Sequence, residues 1–404
     1  MPRVLKTTLH PRPSALRRFV MWVLLLGPFM AGAWAQTASA AEPPPCDRRA
    51  TPACFVAFAL PAGAGRMHYY TSRLPGAAQG PSPRSAIVVM HGHPRDANRS
   101  FDAALLAARR AGRLDDTLIA APLFQVAEDR SARCRARGVP PPEAGDALWT
   151  CSSWLDGSPS QGAVPIGSFA ALDALVAELV RQWPGLQTIT LAGFSAGAQM
   201  LQHSVGFAGD PPAGVTLRYV IADPGSWLYF DPVRPVPTLA GNPVGWDACG
   251  GGADFPAGCT FRFDVPSDLG ACRDYDGWKY GVEALPAALG RPAAEAKARY
   301  AKAQIAYLEG ERDSSAEKGA FYPILDKSCA ALLQGPYRLQ RGQAYLAYEQ
   351  AFIPSGDSRN GIDRGRRLTV VPGCGHDVTC VLPSEAARAS LFPSTPSPAP
   401  HSAK

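Results

Sequence analysis

Residues 186–208 read LQTITLAGFSAGAQMLQHSVGFA: a β-branched run, then Gly193-Phe194-Ser195-Ala196-Gly197, then a helical stretch. A strand that reverses into a helix within so few residues crowds the residue at the apex. Small neighbours at 193 and 197 remove that clash and leave the Ser195 hydroxyl exposed. The pattern therefore predicts a nucleophile elbow, with a helix-capping serine between fortuitous glycines as the alternative. Upstream, residues 85–90 (SAIVVM) read as a buried strand, because apolar residues run without alternation and stop at HGHP. A helix follows in FDAALLAARRAG, capped by Asn98 or Ser100, with Phe101, Leu105 and Ala108 on one face and Gly112 at its end. TLIAAPLF at 117–124 is a further strand, and SFAALDALVAELVRQWP at 168–184 a helix with Ser168 as its N-cap.

Downstream, LRYVIADPGSW gives a strand ending at Asp223. A second α/β period comprises RPAAEAKARYAKA, QIAYLEG, helix-like residues 326–333 and 342–352, and the strand RLTVVPG. With two opening strands at 54–61 and 67–72, this alternation predicts an α/β fold with a mostly parallel central sheet flanked by helices. Residues 125–167, rich in Arg, Gly, Pro and Ser, read as a long loop. Residues 225–286, rich in Gly, Pro and aromatics without periodicity, read as an inserted cap or long surface loop within one domain spanning 41–392. The tail 393–404 (FPSTPSPAPHSAK from 392) is low-complexity and reads as disordered.

Of the 404 residues, 46% are hydrophobic and 18% charged, which excludes a disordered chain and allows a sizeable core. The formal net charge is +6, but Arg3, Lys6, Arg12, Arg17 and Arg18 precede the first acid, and without them +1 remains. A nearly neutral chain has no bulk electrostatic attraction for nucleic acid or an anionic membrane. Those five positives lead into an apolar run at 19–35 and small residues around Ala35 and Ala40, so residues 1–40 read as a signal peptide directing the chain to the periplasm or outside the cell. The run is short and broken by Gly27 and Pro28, so no stable membrane insertion is expected after its removal. All 10 cysteines lie beyond it, an even number that argues for disulfides in an exported chain. Local pairs Cys46–Cys54, Cys134–Cys151 and Cys374–Cys380 are plausible, although spacing does not fix connectivity.

The Ser195 hydroxyl needs a base. His376 follows the last strand in PGCGHD, where glycines let a loop bring the imidazole over the sheet edge. An orienting carboxylate is then required. Asp313, just past the strand QIAYLEG, completes the order Ser, Asp, His. Asp223 is the rival because it also ends a strand, and Glu311 comes third. The developing oxyanion needs donors already aimed at it. The N–H of Ala196 is one, and Gly92 or His93 the other. His91 and His93 alone make a poor metal site with no third ligand evident, so no metal is expected. Burial and the partner carboxylate pull the histidine in opposite directions, which places its apparent pKa at about 6 to 7.5.

These residues resemble the α/β-hydrolase superfamily over about residues 85–381: an HG turn after an early strand, the GxSxG elbow, and a late loop bearing the histidine, here GCGHD. More distantly, the chain resembles secreted bacterial serine hydrolases of the esterase and polyester-depolymerase sort. The resemblance implies an eight-stranded sheet, acyl-enzyme chemistry on small or polymeric carboxylic esters, and no cofactor. An exported peptidase or amidase with the same triad, and a non-catalytic binding protein on this fold, are the alternatives. The chain departs from the pattern at Phe194, where many members carry His, Asp, Glu or Trp. No polymer-binding module is recognisable after Val381. Phe194, Asp223, Trp227, Tyr229, Trp278 and Tyr280 are possible pocket residues, and the aromatics could equally form the core of the cap.

Overall fold

The computed structural model describes residues 46–76, 81–267, 269–270, 272–353 and 366–392. The signal peptide read at 1–40 and the tail at 393–404 lie outside them. Strands β1 (Phe55–Ala59), β2 (Arg66–Thr71), β3 (Ser85–Met90) and β4 (Thr117–Leu123) precede two short pairings, β5 (Gln125–Val126) and β6 (Leu148–Trp149). After them come β7 (Thr188–Phe194), β8 (Thr216–Ala222), β9 (Arg234–Leu239), β10 (Asn242–Pro243), β11 (Thr260–Asp264), β12 (Gln304–Gly310) and β13 (Leu368–Val371). The main sheet has eight strands in the order β1-β2-β4-β3-β7-β8-β12-β13. All neighbours from β4 to β13 run parallel, while β2 is antiparallel to both β1 and β4. This is the α/β-hydrolase fold.

The strands at the centre carry continuous apolar runs because both faces are covered. On one face, α2 (Ser168–Gln182) sends Leu172, Leu175, Val176 and Leu179 into a core shared with Val88, Leu118 and Leu191. On the other, α1 (Ala97–Arg110) packs Phe101, Leu105 and Ala108 against Ile87, Val89 and Ile119. Helices α3 (Ala196–Ser204), α4 (Ala293–Lys302), α5 (Cys329–Leu332), α6 (Arg338–Phe352), α7 (Val378–Val381) and α8 (Glu385–Leu391) complete the layers.

Several local expectations change. Helix α1 begins at Ala97, so Asn98 and Ser100 lie inside its first turn and Asp96 precedes it. Ser168 is the first residue of α2, not its cap. Helix character expected at 326–333 shortens to α5. Within 225–286 a three-stranded antiparallel sheet, β10-β9-β11, has formed where none was read, since prolines at 235 and 237 argue against a strand there. Trp227 and Tyr229 are corrected from possible pocket residues to core. Both are fully buried, and Trp227 stacks on Tyr345 with centroids 4.4 Å apart. Disulfides join Cys46 to Cys54, Cys134 to Cys151, Cys249 to Cys259, Cys272 to Cys329 and Cys374 to Cys380.

Candidate active site

The elbow is built by close approach. A Cβ at Gly193 would fall 2.5 Å from the Gly197 carbonyl oxygen, and one at Gly197 would fall 2.5 Å from that of His91. Only glycine fits either place. Between them Ser195 is held at φ 57°, ψ −122°, a conformation that costs a non-glycine residue of order 1–3 kcal/mol and persists because its surroundings over-determine it. Its N–H is tied to the Ala222 carbonyl at the end of β8. The hydroxyl is thereby presented at the carboxyl end of the sheet, above the N-terminus of α3.

β12 and β13 deliver the other two groups to the same edge. Ser195 Oγ lies 2.8 Å from His376 Nε2, and His376 Nδ1 lies 2.6 Å from Asp313 Oδ2. A carboxylate only accepts, so Nδ1 carries the proton and Nε2 is free to receive that of Ser195. This is the geometry of a Ser-His-Asp triad, and it makes the chain a serine hydrolase. His376 is nearly buried, and its pKa is lowered from 6.5, first by desolvation and then by the Arg338 guanidinium, against the opposing pull of Asp313 and, more weakly, Asp96. Arg338, which spacing does not place beside the histidine, thus adds to burial in disfavouring the charged ring. The Phe194 ring packs against the imidazole at 4.7 Å between centroids, so this elbow residue braces the base.

Asp223 belongs to the same cluster without taking the orienting position. Its ligand atom lies within 4.8 Å of those of Asp313 and His376, but Oδ1 accepts the Gly310 N–H at 2.7 Å and the residue is fully buried, so it does not line an open pocket. Beside it stands Glu309, also fully buried. Burial and the neighbouring Asp223 raise the Glu309 pKa well above its ordinary value. Burial, with Asp313 nearby, raises Asp223 as well. Glu311 is elsewhere, its Oε2 accepting the Gly373 N–H.

For the oxyanion, the structure separates the two candidates after β3. The Gly92 N–H donates to Asp96 Oδ1 at 3.0 Å and is spent, whereas among the described residues the N–H groups of His93 and Ala196 have no acceptor. His91 is an internal brace: Nδ1 meets the Gly92 carbonyl at 2.9 Å and Nε2 accepts the Phe124 N–H at 3.2 Å. Both ring nitrogens are occupied, and burial drops its pKa to about 3. Burial, followed by the charge of Lys279, also lowers His93.

Trp278 and Tyr280 are half-buried. Trp278 Nε1 donates to the Asp156 carbonyl at 3.0 Å, and the Tyr280 hydroxyl donates to Asp326 Oδ2 at 2.6 Å. Sequence reasoning missed Arg338, whose Nη1 lies 2.9 Å from Asp313 Oδ1 and 2.8 Å from the Ala320 carbonyl. It also missed the fixing of the histidine loop by the His376 N–H, which donates to the Gly319 carbonyl at 2.9 Å.

No known family's sequence model matches the chain, and no curated protein matches it. Among solved structures it is similar to LpqC, a poly(3-hydroxybutyrate) depolymerase from Bordetella parapertussis, at 19% identity and TM-score 0.48 over 80% of this chain and 85% of that one. It is also similar to poly(aspartic acid) hydrolase-1 from Sphingomonas sp. KT-1, at 17% identity and TM-score 0.49 over 84% of this chain and 98% of that one. The functional reading therefore rests on the triad's own geometry.

Proposed function

We propose that this serine hydrolase cleaves carboxylic esters through an acyl-enzyme, and the observation that carries the reading is the continuous relay from Ser195 Oγ through His376 to Asp313. Ser195 Oγ bonds to the acyl carbon while His376 Nε2 takes its proton. The N–H groups of Ala196 and His93 receive the oxyanion. As the tetrahedral adduct collapses, the bond to the alcohol oxygen breaks and His376 returns the proton to it. Water, deprotonated by the same imidazole, then releases the acid. Asp313 holds the tautomer and stabilises the imidazolium.

Export to the periplasm or beyond is part of the reading. It is supported by the leader read at 1–40 and by the five disulfides of the described residues, which persist in an oxidising compartment. Among those residues no helix is long and apolar enough to cross a membrane. The test is fluorophosphonate labelling of Ser195, followed by turnover of p-nitrophenyl esters of increasing acyl length beside peptide amides. Labelling with ester turnover is expected. Turnover of amides in preference to esters would make the chain a peptidase or amidase, and absence of labelling would make it a binding protein.

A further inference from the structure

Phe321 carries two costs that the fold does not offset. It is 54% exposed, and it sits at φ 46°, ψ 38°, in the left-handed region that bulky side chains avoid. Its aromatic contact is the catalytic imidazole, 6.3 Å away between centroids. Ile324, three residues on, is 61% exposed. The backbone just before Phe321 is fastened to the triad at two points: the Gly319 carbonyl accepts the His376 N–H, and the Ala320 carbonyl accepts from Arg338 Nη1. Gly375 permits the first of these, because a Cβ there would fall 2.7 Å from the Gly319 oxygen. The ring is thus held in a strained, solvent-facing position relative to the base.

The reaction says what meets it. His376 Nε2 must reach the alcohol oxygen to protonate it as the C–O bond breaks, whereas the carbonyl oxygen is drawn to the N–H groups of Ala196 and His93. The alcohol portion of the ester therefore leaves on the imidazole side. We infer that Phe321, extended by Ile324, forms the apolar wall that receives this portion, and that the enzyme selects esters of apolar aliphatic or aryl alcohols. The inference rests on the serine-hydrolase reading above.

The experiment compares full-length wild type with Phe321→Ala and Phe321→Asn on ethyl acetate, hexyl acetate and ethyl octanoate. Asparagine tolerates the left-handed backbone, so that variant removes the apolar wall without added strain. Both substitutions should lower the kcat/KM ratio of hexyl acetate to ethyl acetate about tenfold, the scale of apolar discrimination in a pocket. The ratio of ethyl octanoate to ethyl acetate should stay within twofold, and Tm should not fall. An unchanged alcohol-length ratio, or a fall confined to the acyl-length ratio, overturns the assignment. A wild-type chain that hydrolyses none of the three and resists fluorophosphonate overturns the underlying reading instead.

Discussion

Arg338 holds the oxygen of Asp313 that His376 leaves free: Nη1 meets Oδ1 at 2.9 Å, with each side chain only 2% exposed. One carboxylate thus serves a cation and an imidazole at once, deep enough that neither contact is much screened by solvent. The charges facing the imidazole are Asp313 and, more weakly, Asp96 on the negative side and Arg338 on the positive side.

The pH dependence follows. His376 must be neutral to accept the Ser195 proton, and its pKa is depressed from 6.5. The acidic limb of kcat/KM on a non-ionising ester should therefore lie below 6.5, with activity present above the limb and lost as pH falls through it. Arg338→Gln removes a cation that disfavours imidazolium, so its limb should move to higher pH, while Arg338→Lys should keep it nearer the wild type. A limb that stays in place in Arg338→Gln would show that the guanidinium does not act on the base. EDTA should leave the profile unchanged; a plateau lost on chelation and restored by zinc would replace this mechanism with metal-bound water.

Ser195→Ala should fold normally and lose several orders of magnitude in ester turnover, because the triad acts as a unit. A variant keeping even a tenth of wild-type activity would remove Ser195 from the nucleophile's role.

Asp313→Asn should cost roughly 10⁴ in kcat by presenting the wrong tautomer. Asp223→Asn should be milder, since Asp223 bonds the Gly310 N–H and not the imidazole. The reverse ranking in steady-state rates would assign the orienting role to the strand next door.

The bridge between Cys374 and Cys380 closes a loop around His376 with a sequence separation of 6. So short a loop adds only about 2 kcal/mol of stability in the chain-entropy picture. Displacing the base by about 1 Å, however, costs on the order of 100-fold in rate. Replacing both cysteines by serine should therefore lower kcat/KM well before Tm falls proportionately. Parallel losses in the two quantities would assign the bridge a purely stabilising role.

The elbow was legible because its requirement is local: Gly193, Ser195 and Gly197 stand between a strand pattern and a helix pattern. The choice of acid was not, because β8 and β12 are adjacent and bring both Asp223 and Asp313 to the same edge. Arg338 gave no signal at all, since an arginine opening a helix reads as solvated. The oxyanion turn was legible only as far as Gly92 or His93, because the choice between them depends on a side-chain contact, Asp96 Oδ1 accepting the Gly92 N–H, that spacing does not show. Trp227 and Tyr229 were ambiguous until Tyr345, more than a hundred residues away, supplied the face against which they pack.

Every bridge in this structure joins a cysteine to the next one along the chain, from Cys46–Cys54 to Cys374–Cys380, and even the widest, Cys272–Cys329, encloses no other thiol. For a chain threaded amino-terminus first into an oxidising compartment, each thiol's correct mate is simply the next to emerge. Oxidation in the order of emergence would then pair each thiol with its native mate, with no pairing that crosses an intervening cysteine.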